Sequence, residues 1–144
     1  MALTRIIYFG SLPGDLRDKH DVVTRVDARL IASSRVGMRF CDVFMEGVRA
    51  YEELGYPDEW KNHHQGGPIG YQDREFLATP ETEIAILPNQ AIAWNPSVPG
   101  TKSEDTILVG EDEVEMITRG RTGWPMVKVE VGGQAIFRPD ILCL

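Results

Sequence analysis

The chain has 144 residues, 15 basic against 22 acidic side chains for a net charge of −7, and 42% hydrophobic residues. That is the size of one domain with enough apolar content for a core, so residues 1–144 read as a single domain. The acidic balance excludes the basic surface of a nucleic-acid binder, and no apolar run approaches the ~20 residues of a bilayer span. Nothing at the start reads as a secretory signal, so a soluble cytoplasmic protein is expected. Cys41 and Cys143 are too few for a disulfide framework. Two buried, reduced thiols are expected, with a single bridge left open.

In chain order, Leu3–Phe9 is β-rich and ends at Gly10, which predicts a strand. Ser11, Pro13 and Asp15 then open a helix over about 14–35, with Leu16, Val23, Val26 or Asp27, Leu30 and Ile31 recurring at helical spacing. Gly37 breaks it. A second amphipathic helix carries Phe40, Val43, Phe44, Gly47, Val48, Tyr51 and Leu54 on one face and stops at Gly55. From Tyr56 the texture becomes β-rich, with short runs at Ile84–Leu87, Ala91–Trp94, Thr106–Val109, Val114–Thr118, Met126–Val131 and Ala135–Phe137. Gly132-Gly133 marks a hairpin, and the acids from Glu111 to Glu115 read as a solvated turn. The order predicts an α+β fold, two amphipathic helices packed on a mainly antiparallel sheet.

Two stretches hold more polar groups, glycine and proline than a core needs: HHQGGPIGY from His63 to Tyr71, and Ala93 to Val109. Glycine without a Cβ lets GGPIG approach a ligand or another strand closely. His63 and His64, if extended, point to opposite faces and do not share a metal ion. Asp73, Arg74 and Glu75 form either an exposed, mutually paired charge cluster or an arginine poised for a carboxylate. If the strands after Ala91 and before Val109 pair, Asn95 comes close to Glu104. No CxxC pair, HExxH motif or nucleophile elbow is present.

In their order these segments resemble the creatinase, Xaa-Pro aminopeptidase and prolidase family of pita-bread metallopeptidases. ALTRIIYFG resembles a strand ending in D-x-T-R-x-x-x-x-G, and HHQGGPIG lies where the family has H-x-x-G-H-G-I-G. AWNPSVPG lies at a strand ending in E-P-G, KSEDTILV resembles R-I-E-D-T-V-L-V, and MIT resembles an L-T ending. The resemblance implies half or part of a pita-bread fold, the C-terminal part of a catalytic domain, and an excised piece of a longer protein. Without the rest, Leu3–Phe9 would be an unprotected edge strand.

It also implies a hydrolase with two divalent ions such as Mn, Co or Zn, held by two aspartates, a histidine and two glutamates. Carried over by position, the second aspartate falls at Ala2, the histidine ligand at Gly67 and the first glutamate at Asn95. Only Glu104 matches a ligand. His63 falls at a substrate-site histidine, and Arg74 where another active-site histidine would stand. The expectation is a degenerate centre without cofactor: His63 and Glu104 as catalytic candidates, His64, Arg74 and Asn95 as substrate-binding ones. A peptide or small carboxylate-containing molecule is the expected ligand. Two rivals are a hydrolase with a shifted ligand set of His63, His64, Asp73 and Glu104, and a non-catalytic interaction module. The latter leaves two partners open, a second copy in a homodimer or a missing N-terminal half.

Overall fold

Ten short strands and two helices follow one another along the chain in a computed structural model that describes residues 1–119 and 123–144. They are β1 (Ile7–Tyr8), α1 (Gly14–Ser33), α2 (Phe40–Glu53), β2 (Gly66–Ile69), β3 (Gln90–Trp94), β4 (Ser97–Val98), β5 (Thr101–Lys102), β6 (Asp105–Val109), β7 (Val114–Met116), β8 (Met126–Val131), β9 (Gln134–Pro139) and β10 (Leu142–Cys143). The α+β expectation holds: the main sheet is antiparallel in the order β2-β3-β6-β7, and the helices cover one face of it.

Asp15 sits in the first turn of α1, where the positive end of the helix dipole favours an acid. The helix does more than rest one stripe on a sheet. It packs against both α2 and the β8–β9 hairpin, and so buries His20, Thr24 and Asp27 beside Val23, Val26 and Leu30. α2 crosses it closely at Gly47, where a Cβ would stand 2.7 Å from the Leu30 side chain. Ile92, Trp94, Ile107 and Val109 complete the core from the sheet, and the Trp94 indole donates to Ser34 Oγ at 2.9 Å. Gly132 and Gly133 join β8 to β9 with φ of 56° and 79°, the two-residue turn that demands positive φ at both positions.

Three local expectations are corrected. Only Ile7–Tyr8 of the β-rich Leu3–Phe9 stretch is a strand, and it pairs in parallel with β10. The residues before it lie along β6 instead, where the Thr4 amide donates to the Glu104 carbonyl and Ala2 exchanges hydrogen bonds with Thr106 Oγ1. Ile84–Leu87 forms no strand; it meets the start of α2 through a single bridge, Arg39 with Ala85. Cys143 is exposed, whereas Cys41 is buried, and both thiols are free. No helix among the described residues is long and apolar enough to cross a membrane.

Candidate functional site

Glu104 stands immediately before β6, and the sheet register fixes what faces it. Trp94 opposes Asp105 and Ser97 opposes Lys102, so Asn95 lies opposite Glu104. The Glu104 carboxylate is 9% exposed and both of its oxygens are engaged. Arg74 Nη2 donates to Oε1 at 3.1 Å. Thr4 Oγ1 donates to Oε2 at 2.7 Å, and Lys102 Nζ lies 3.2 Å from the same oxygen. Burial alone would push this carboxyl up; the Thr4 hydrogen bond and the two cations outweigh it and hold the group below the usual carboxylate range.

Arg74 reaches this position from the bend after β2. Its partners are not the neighbouring acids: Nη1 donates to the Asp73 carbonyl, while Glu75 accepts from the Gln72 amide. The mutually paired Asp73–Arg74–Glu75 cluster is therefore replaced by a longer-range pairing of Arg74 with Glu104.

His63 and His64 are corrected too. They follow a short 3-10 turn at Glu59–Lys61 rather than lying in a strand, and their rings stack at 4.5 Å with planes 23° apart. Partial burial lowers the His64 pKa, and the neighbouring His63, Arg74 and Lys102 lower it further against the opposing pull of Glu104. Gln65 braces the turn by donating to the His63 and Trp60 carbonyls, and its own carbonyl receives the Asn95 amide. Both histidines line an apolar-walled groove of about 290 Å³ with Phe44, Trp60, Leu77 and Pro80. A larger groove of about 580 Å³ runs between α1 and β8 and holds none of the five candidate residues. Among the described residues, three buried side-chain atoms lack a hydrogen-bond partner: His63 Nδ1, Arg74 Nε and Asn95 Oδ1. Three of the five sequence candidates thus carry the buried unpartnered side-chain atoms found among the described residues.

The residues present do not fit a pair of divalent ions. A Cβ on Gly67 would stand 2.2 Å from the Phe76 carbonyl oxygen, so the chain's own backbone fills the space a histidine ligand would need. Ala2 offers no side-chain donor atom. Among the described residues, no three His, Cys, Asp or Glu side chains converge well enough to hold a metal ion.

Directly behind the site lies a charged network that sequence reasoning missed. Arg138, fully buried, contacts Asp27 Oδ2 at 2.6 Å and Asp105 Oδ2 at 3.0 Å. Ser103 Oγ donates to Asp27, while Arg5 and Thr118 donate to Asp105 Oδ1. Burial pushes the Asp27 carboxyl up to about 6, against the opposing pull of Arg138 and Ser103. The network ties the N-terminal segment, α1, β6 and β9 together, and so fixes Thr4 and Glu104, the neighbours of Arg5 and Asp105. Its one sequence signal is Asp27, an acid at a core spacing of α1. His20 is a second satisfied core polar group, with Nδ1 at 2.7 Å from Thr101 Oγ1 and Nε2 at 3.0 Å from the Pro139 carbonyl.

No family model matches the chain. Over 81% of its length it is 27% identical to an uncharacterized peptidase of Staphylococcus epidermidis, and 26% identical to one of Staphylococcus saprophyticus. It spans 35% of the length of each of these relatives. An Xaa-Pro dipeptidase from Bacillus anthracis has the same fold with a TM-score of 0.76 at 20% identity, over 99% of this chain and 37% of that one. An X-Pro aminopeptidase from Thermotoga maritima gives 0.74 at 15% identity, over 99% and 37%. A prolidase from Pyrococcus horikoshii gives 0.74 at 20%, over 84% and 36%. The chain has a creatinase/prolidase-like fold, a partial pita-bread domain.

Proposed function

We propose that this chain is part of an Xaa-Pro-dipeptidase-like cytoplasmic protein that keeps the cleft, lacks the divalent pair, and binds a peptide or small carboxylate-containing ligand. The observation that carries this reading is the set of unpartnered buried atoms on His63, Arg74 and Asn95, the last two next to Glu104 by hydrogen bond and by sheet register. A buried polar atom with no partner is destabilising by about 1–3 kcal/mol, so such atoms are kept where something else bonds to them. Their chemistry defines a complementary ligand. Arg74 Nε–H is a donor for a carboxylate, Asn95 Oδ1 accepts an N–H, and the groove walled by Trp60, Leu77 and Pro80 takes an apolar side chain. Glu104 holds Arg74 and Lys102 in place, and His64 lines the opening.

Glycyl-proline is the direct probe, because it carries a carboxylate, an amine and an apolar ring. Calorimetric titration is expected to show saturable binding without added metal. Arg74→Met is expected to weaken it at least tenfold, the loss of a hydrogen bond to a charged group being about 1.5–3 kcal/mol. Absence of heat up to millimolar peptide, or equal affinity in the variant, would sink this reading.

A further inference from the structure

We infer that Arg74 and Lys102 stand in for metal cations at Glu104, so that the chain supplies from its own side chains the positive charge that the family resemblance would assign to bound ions. This rests on the cleft being metal-free, but on no particular ligand. Lys102 and Glu104 are two residues apart, a spacing that puts them on one face of an extended segment. Arg74 arrives from the other side, out of the bend after β2. Between them and Thr4, both carboxylate oxygens have donors.

Charge balance explains the arrangement. Two divalent ions carry four positive charges and need several carboxylates to offset and bridge them. With Asn95 opposite Glu104 and glycine at position 67, one carboxylate is left, which two monovalent side chains more than offset. The guanidinium and the ammonium leave a local excess of one positive charge, which repels a dication and favours a monoanion. Arg74 and Lys102 are 13% and 31% exposed in their side chains, so Arg74 contributes the better-shielded half.

Double-mutant cycles on urea unfolding of the full chain test the assignment. Glu104→Gln is expected to lower the folding equilibrium constant about tenfold with Arg74 and Lys102 present, and far less once both are methionine, the coupling typical of contacting charges. Equal losses in the two backgrounds would overturn the assignment. Should Glu104→Gln fail to fold, Mn²⁺ added to the wild type decides the matter. An unchanged unfolding midpoint supports built-in cations, and a saturable rise in the midpoint overturns them.

Discussion

Arg138→Met is expected to destabilise the chain by about 3–5 kcal/mol at pH 7, a large part of the about 5–15 kcal/mol available to a domain. The reason is the company Arg138 keeps. It lies fully buried between Asp27 and Asp105, and methionine fills similar volume while leaving both acids without that cation. Arg5 still reaches Asp105, but Asp27 keeps only the Ser103 hydroxyl. The pH dependence has a definite sign. Asp27 titrates at about 6 in the folded chain, above its ordinary value of 3.8, and losing Arg138 removes the strongest force holding it down. A raised carboxyl pKa penalises the folded state at high pH, and the penalty is relieved as pH falls through that pKa. The gap between variant and wild type should therefore narrow from pH 7 to pH 5. Urea unfolding at the two pH values measures it; a gap below about 1 kcal/mol, or one that widens in acid, contradicts the network's role.

Placing a histidine at position 67 is expected to damage the fold rather than create a metal site. The Cβ of any residue there would meet the Phe76 carbonyl oxygen at 2.2 Å, with the Ala78 amide nitrogen at 3.3 Å. These are backbone atoms of a segment pinned to β2 on both sides, by the Glu75 amide on the Pro68 carbonyl and the Ala78 amide on the Gly66 carbonyl. Overpacking against such a segment costs about 1–3 kcal/mol even for modest additions. Gly67→Ala should already fall in that range, and Gly67→His at its upper end or beyond. The contrast is Gly47, where the obstacle is the movable end of Leu30 and an added methyl should cost less. Thermal unfolding of the Gly67 variants with and without Zn²⁺ measures the effect. A Gly67→His chain as stable as the wild type, or stabilised by Zn²⁺, would show that the loop yields and the ligand position is open.

What the sequence made legible was mostly local. Strand, two helices and a run of strands indicated the layers, Gly132-Gly133 marked its hairpin, and the pairing that sets Asn95 against Glu104 followed from two β-runs around a Pro-Gly turn. Local reading misled where context overrode it. Ile84–Leu87 has strand composition, but its hydrogen bonds go to the loop before α2 and the start of that helix, with Gly37, Met38 and Phe40. An extended chain would set His63 and His64 on opposite faces, whereas their rings stack after the turn at Glu59–Lys61. The charge pairings were out of reach for a different reason. Arg74 beside two acids suggests a local cluster, yet its partner is 30 residues on. Arg138 joins α1 to β6 from the far end of the chain, and nothing in the residues around it signals two buried acids.

Glu104 is expected to draw its compensating positive charge from side chains and not from metal ions. Calorimetric titration of Mn²⁺, Co²⁺ and Zn²⁺ into the longest natural form of the protein tests it most directly. The expected result is no stoichiometric binding at micromolar concentrations. One or two tightly bound ions, lost in Glu104→Gln, would contradict the claim.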